Sequence, residues 1–437
     1  MERTCNYLKT VFRALRQENK YSALIVIALL CIPMDHAFGS ISAGVFVGVT
    51  LITFKRKNFH LEYALLRPVV LFVLMGLSLF WSHDVALSVK ALQKGLPLLL
   101  VPVCFMLFPK LTIAQKHQIL KYYSFGMVFF TVFWLAKAAV RFAISNDPNV
   151  FFYHELVTED VNAIHVSVYI AMSCFYFLTK PAKTVSDKLA IILLSVFLML
   201  LSSKNIIVIF ILIAMAYYFS NAKSRNKPSY GKWLLLFGLI VGIAFFGKIK
   251  DRFMVEYQSI TTARTLNYEI GTETSKVYNI SLKEAWTNAV FQQNDYFPGT
   301  AFRVYQIRIF KEMLHEDPIF FTGYGLNASD FKIKEKAVQY HLYKGYDEKN
   351  FHNEYIQIFA ELGIFGLLVL AAILYINIKN AVQNKDFIHI SFAILMISLF
   401  LTESFLSRQR GIMFFTIMYC LFNAATGVMP LTKKNEI

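Results

Sequence analysis

Apolar residues gather in runs at about 21–34, 39–54, 66–82, 95–108, 122–140, 161–179, 188–201, 205–219, 233–247, 354–378, 387–402 and 411–427. A helix needs about 20 mostly apolar residues to cross the hydrocarbon of a bilayer. Read as helices, the twelve runs predict an all-α polytopic membrane protein. Two pairs of runs are barely divided, one at Asp35-His36 and the other at Ser202-Ser203-Lys204. If either pair forms one helix, the count falls and everything downstream changes sides. The predicted organisation is a cytoplasmic segment over 1–20, helices one to nine over 21–247, a large and mostly helical loop over 248–351, helices ten to twelve over 352–427, and a cytoplasmic tail over 428–437.

The loop is far longer than ordinary connections, which rarely exceed about 15 residues, so it must fold on the bundle or carry function. It holds 14 Lys+Arg and 13 Asp+Glu and is nearly neutral. Phe302, Tyr305, Ile309 and Met313 recur at spacings of three and four, which predicts a helix over 302–315 with one apolar face. Pro318 disfavours helical geometry in the residue before it and ends the helix. Gly323-Tyr-Gly325 then predicts a tight turn that brings backbone close to a neighbour. His352-Asn353-Glu354-Tyr355 stands at the mouth of the tenth run.

Composition narrows the class. Of 437 residues, 56% are hydrophobic and 16% charged, against about 25% charged in soluble proteins. That excludes a soluble globular enzyme, a disordered chain and a disulfide scaffold. The net charge of +16 would suggest nucleic acid in a soluble protein, but here its distribution follows the positive-inside rule. With the N-terminus inside, the inner segments carry twenty-three Lys+Arg and the short outer loops six: Lys90, Lys94, Arg141, Lys204, Arg408 and Arg410. Both termini are therefore expected inside, the large loop outside, and no nucleic acid partner is needed. The first run follows a basic stretch and lacks a small-x-small site, so a cleaved signal is not expected. Cys31, Cys104, Cys174 and Cys420 lie in apolar runs and Cys5 in the inner segment, which argues against disulfides. Motifs for nucleotide phosphates, zinc or haem are absent, and no cofactor is expected.

The ordered set Arg303, Pro318, Gly323-x-Gly325, His352-Asn353-x-Tyr355 and Glu361-Leu-Gly363-Ile-Phe-Gly366 resembles the O-antigen ligase/polymerase family. The match covers about 65 residues, and the topology extends it along the chain. Tyr153-His154-Glu155-Leu156 with Asn162-Ala163-Ile164, and the segment from Glu403 through Arg408-Gln409-Arg410-Gly411, are similar to versions in Bacteroidetes-type members. Two positions depart. Ile307 stands where many members have Trp, and Lys204 follows Ser203 where many have Arg, which keeps the charge but loses the bidentate fork.

The resemblance implies about twelve spans in the bacterial inner membrane and a periplasmic loop. It also implies transfer of a glycan from an undecaprenyl-diphosphate carrier to a sugar hydroxyl by a metal-independent, inverting glycosyltransferase. The acceptor would be lipid A–core for a ligase or a growing glycan for a polymerase; a protein acceptor is a third variant. A lipid-linked sugar flippase or other transporter is the alternative of another class. It would be expected to show repeated halves and midplane sites, and neither is seen.

A departing diphosphate needs cations held where water is scarce. Arg303, Lys204, Arg408 and Arg410 are the candidates, all at the outer face. His352 is the candidate base for the acceptor hydroxyl. Each has a structural reading beside it. Arg303 could lie on a solvated helix face, and His352 could be an interface residue with Asn353 as helix cap. Arg408 and Arg410 could snorkel, and Lys204 could simply separate two helices. Glu403 is expected to pair with one of the arginines. Glu361 either orients His352 or packs against Gly363 and Gly366. His36, His165 and His389 are expected to be structural.

Overall fold

The computed structural model describes residues 20–158, 161–222, 246–267, 270–272 and 275–424. The helices are α1 (Lys20–Cys31), α2 (His36–Ile52), α3 (Tyr63–Leu77), α4 (Val85–Gly95), α5 (Pro97–Leu107), α6 (Ile113–Ser145), α7 (Tyr153–Leu156), α8 (Ala163–Thr179), α9 (Val185–Leu200) and α10 (Lys204–Ala222). The polar segment contributes α11 (Phe246–Thr261), α12 (Leu282–Thr287), α13 (Gly299–Glu316) and α14 (Asp330–Gln339). The chain closes with α15 (Glu354–Gln383), α16 (Phe387–Leu399) and α17 (Gln409–Ala424). Tyr63–Phe80, Val85–Leu107, Ile113–Ser145 and Glu354–Gln383 are long and apolar enough to cross a membrane, and five further apolar helices are shorter. Most of the ninth apolar run, 233–245, lies outside the described residues, as do 1–19 and 425–437.

The bundle has a definite centre. In α8 every residue from His165 to Phe177 is buried, and in α17 every residue from Arg410 to Ala424. A helix that is apolar on all sides belongs in a core or a membrane, not at a water boundary. The remaining apolar helices pack around these two and turn part of their surface outward. Along α3 the exposed residues Val70, Val73 and Leu77, with Phe80 just beyond, form one stripe.

Two expectations need correction. Residues 83–94, read as a loop, form α4: Asp84 caps it by accepting a hydrogen bond from the Leu87 amide at 2.9 Å. Its polar residues obscure the helical pattern, and it runs through Leu96 into α5. The fifth run also understates its helix, because α6 extends 33 residues with a Thr112–Gln115 capping box at its start. Both narrow divisions are real breaks. Asp35 caps α2, and Ser202, with a left-handed φ of 53°, separates α9 from α10.

The polar segment has its own core. Phe291, Phe297, Tyr305, Ile309, Met313 and Tyr340 cluster there, joined by Phe351 and Ala360 at the start of α15. The expected helix over 302–315 is α13, and it buries the Phe302, Tyr305, Ile309 and Met313 face. Lys336, almost fully buried, pairs with Glu312 at 3.0 Å and with Glu316. A small sheet stands beside these helices: β1 (Thr265–Leu266) pairs antiparallel with β2 (Tyr278–Asn279), which pairs parallel with β3 (Asp295–Tyr296).

One splice joins this segment to the bundle. Gly363 interrupts α15 with φ 66° and ψ −164°, a region essentially restricted to glycine. The backbone groups this frees are taken up by the 320–325 loop. Ile364 N donates to Phe320 O at 2.8 Å, Tyr324 N to Ala360 O at 2.8 Å, and Gly325 N to Glu361 O at 3.0 Å. A Cβ at Gly323 would lie 2.2 Å from the Glu361 carbonyl carbon, and one at Gly363 2.2 Å from Phe321 O. Gly363→Ala is therefore expected to destabilise the protein by at least ~2 kcal/mol, from backbone strain alone. Gly48→Ala, where an added Cβ meets nothing within 4 Å, should change little. Apparent melting temperatures in detergent check this, and equal values for the two variants would rule out the splice as described.

Candidate functional site

The turn between α16 and α17 gathers groups from three remote parts of the chain. Residues just past a helix end carry carbonyls with no helical partner, and here other elements supply the donors. Asn205, at the start of α10, donates from Nδ2 to Ser398 O at 2.9 Å and to Thr402 Oγ1 at 2.8 Å. Glu354 N donates to Phe400 O at 2.8 Å. Asn353 Nδ2 donates to Leu401 O at 3.3 Å, while its Oδ1 caps α15 by accepting from Tyr355 N and Ile356 N. Arg303, from α13, donates from Nε and Nη2 to Thr402 O at 3.1 and 2.8 Å, and from Nη1 to Gly299 O at 3.0 Å. Two of its five N–H donors thus hold the turn, and a third is bonded within its own helix.

Lys204 lies on the same side. Its Nζ is 2.9 Å from Glu256 Oε1, and the other oxygen of that carboxylate accepts from Thr300 N at 3.0 Å, beside the start of Arg303's helix. Burial pushes the Glu256 carboxyl up, but Lys204 and Thr300 outweigh it and hold the group below the usual carboxylate range. Neither Glu256 nor Asn205 carries a motif by which the sequence could have singled it out.

His352 adopts a left-handed φ of 46° and brings Nδ1 to 3.4 Å from Glu403 Oε2, with its ring edge-on to Phe302. This corrects the expectation that Glu403 pairs with an arginine. It is the carboxylate facing His352, and Arg303 acts on it only at longer range. Burial raises the Glu403 carboxyl; His352, His165 and Arg303 more than reverse that and hold it low. Glu361 does not reach His352. Its side chain accepts from Gln357 Nε2, and its carbonyl belongs to the splice with Gly325. Gly323 and Gly325 likewise serve close backbone packing.

Arg410 and Arg408 lie on the far side of the turn. Arg410 is nearly buried, donates from Nη2 to Met34 O at 2.6 Å, and lines a cavity of about 10 Å³ with Asp35, His36 and Gln409. Arg408 is exposed. His165, buried against Phe405 with ring centroids 4.4 Å apart, lies within electrostatic reach of Glu403, Arg408 and Arg410 and so connects the two sides. A second cavity of about 30 Å³ is lined by Lys94, Asn327, Glu354, Glu361 and Ser407 among others. Neither cavity is lined by Arg303, Lys204 or His352. Arg303, His352 and Lys204's neighbour Asn205 meet at one turn instead, with Arg408 and Arg410 on its far side.

Such an arrangement places cations and a histidine–carboxylate pair at one end of the apolar bundle of a multi-pass membrane protein. A family model described as O-antigen ligase matches residues 189–371 of the chain. The matched part runs from α9 to α15 and contains Lys204, Arg303, Gly323, Gly325, His352, Asn353 and Glu361. No curated protein matches the chain. This match supports glycan transfer of the ligase or polymerase type on lipid-linked substrates.

A carboxylate whose folded pKa is depressed adds stability above its unfolded pKa, about 4.3 for Glu, and that stability is lost as pH falls through the lower folded value. Glu403→Gln should therefore destabilise the protein at pH 7 by about 1 kcal/mol and flatten the loss of stability in acid. Melting temperatures in detergent at neutral and acid pH test this. Parallel pH profiles for variant and parent would mean that Glu403 is not held as an anion.

Proposed function

We propose that this protein transfers a glycan from an undecaprenyl-diphosphate carrier to an acceptor hydroxyl at the periplasmic face of the bacterial inner membrane, and that its acceptor is lipid A–core. The membrane would be crossed about twelve times, with both termini cytoplasmic and residues 248–351 forming the roof. The observation that carries the reading is the convergence of Asn205, Arg303 and His352, from three segments remote in sequence, around the 398–403 turn, with Lys204 adjoining Asn205 and paired to Glu256.

In this reading the diphosphate enters between Lys204 and Arg303, while Arg408 and Arg410 add positive charge from the far side of the turn. An arriving phosphate competes with Glu256 for Lys204, while Arg303 retains two N–H donors for phosphate oxygens. His352, backed by Glu403, takes the proton of the acceptor hydroxyl. The acceptor oxygen attacks the anomeric carbon, the carbon–oxygen bond to the diphosphate breaks, and the lipid diphosphate leaves with the electron pair. This is a single, inverting displacement in which the cations stabilise the charge developing on the leaving group. No metal ion is invoked. Asn353 fixes the start of α15 and hence the approach of His352.

In purified, reconstituted protein Arg303→Ala is expected to lower transfer by about 10²–10³-fold, the scale for loss of one preorganised donor. Arg303→Lys should recover little of it, because the fork is lost. Melting temperatures measured alongside separate loss of chemistry from loss of the turn. Full-speed transfer by the alanine variant would refute the mechanism. Deleting the gene distinguishes the acceptors: carrier-linked polymer without lipid A-linked chains means ligase, whereas single capped repeats mean polymerase.

A further inference from the structure

Phe320 and Phe321 play no part in the site, yet they are 49% and 60% exposed in a loop whose backbone is otherwise tightly held. Besides the splice to α15, Gly323 N donates to Ile319 O at 2.9 Å and the Trp81 indole donates to Thr322 O at 2.9 Å. The loop is thus fixed to Tyr63–Phe80 through Trp81 and to Glu354–Gln383 through Ile364, two of the helices able to cross a membrane.

The exposed rings continue the outer faces of those helices. Phe321 lies 6.2 Å from Phe365, and Phe320 5.0 Å from Phe321. Phe365 and Leu368 are exposed on α15, as are Leu77, Phe80 and Trp81 at the end of the α3 stripe. The level of the loop follows from helix geometry. Counting back about 30 Å, or 20 residues at 1.5 Å each, from Ile378 at the end of the apolar run puts the outer hydrocarbon edge near Phe359. The break at Gly363, and the loop spliced to it, therefore fall about 6 Å inside that edge. Irregular backbone is tolerated there only if its polar groups are satisfied within the protein, which the splice provides.

We infer that the 319–322 loop is a membrane wedge: Phe320 and Phe321 insert into the acyl region of the outer boundary and seat the extramembrane segment on the lipid. The occupant is the bilayer, because the patch is continuous with the lipid-facing stripes of two spanning helices. The inference does not depend on the transfer reaction, only on the chain being a membrane protein.

Spin labels at Phe320→Cys and Phe321→Cys test it, with Cys5 and Cys31 changed to Ser and the other three cysteines being buried or, for Cys420, enclosed in α17. In lipid vesicles, collision with oxygen should exceed collision with a water-soluble nickel chelate at both positions, as at Phe365→Cys. Val338→Cys, on an exposed site of α14, should show the reverse. Preferential access to nickel at 320 and 321, as at 338, would overturn the inference. So would shielding from both reagents, which would mean that protein covers the patch. A label at 321 replaces only ring contacts with Phe320 and Phe365, and one at 320 those with Phe321 and Phe359. As a second readout, Phe321→Trp fluorescence should be quenched by lipids brominated near the headgroup.

Discussion

A helix that breaks against an apolar surround must find new partners for its backbone, and this constraint shapes the molecule. At Gly363 the partners come from the 320–325 loop; past the end of α16 they come from Asn205, Arg303, Asn353 and the Glu354 amide. The two repairs are coupled, because the first nine residues of α15 lie between them. One end of that short segment is spliced to the loop and the other caps the turn. The position of His352 therefore depends on a glycine eleven residues away that never touches it.

The same constraint gives Arg303 and Lys204 two aspects. Each makes contacts that a purely structural residue would make, with a carbonyl in one case and a carboxylate in the other. Those contacts also place their charges beside one turn, where Glu256 and Glu403 offset them. A site balanced in this way can stand at the edge of a low-dielectric region without an uncompensated charge, whose burial would cost several kcal/mol.

Much of this was legible in the sequence. The apolar runs marked the helices they fall in, Phe302 through Met313 marked the buried face of α13, and the Gly323-x-Gly325 pair marked a close backbone approach. What could not be read depended on tertiary pairing. Glu403 has arginines five and seven residues away in sequence, yet its partner is His352, because the cap on α15 brings residues 352–354 onto the turn. Asn205 and Glu256 form no motif and gain meaning only once α10, α11 and α13 are side by side. α4 was missed because Lys90, Gln93 and Lys94 interrupt its apolar spacing, and two-residue strands are too short to show an alternating pattern.

The turn that receives Arg303 has a consequence for biogenesis. It is translated after every residue of the family-matched segment, so a nascent chain that has released only 189–371 holds the guanidinium and the imidazole without the carbonyl and carboxylate that position them. The end of the bundle that gathers Arg303 and His352 is assembled last, when the hairpin of α16 and α17 docks. Until then, the side chains proposed to act on substrate lack the contacts that place them.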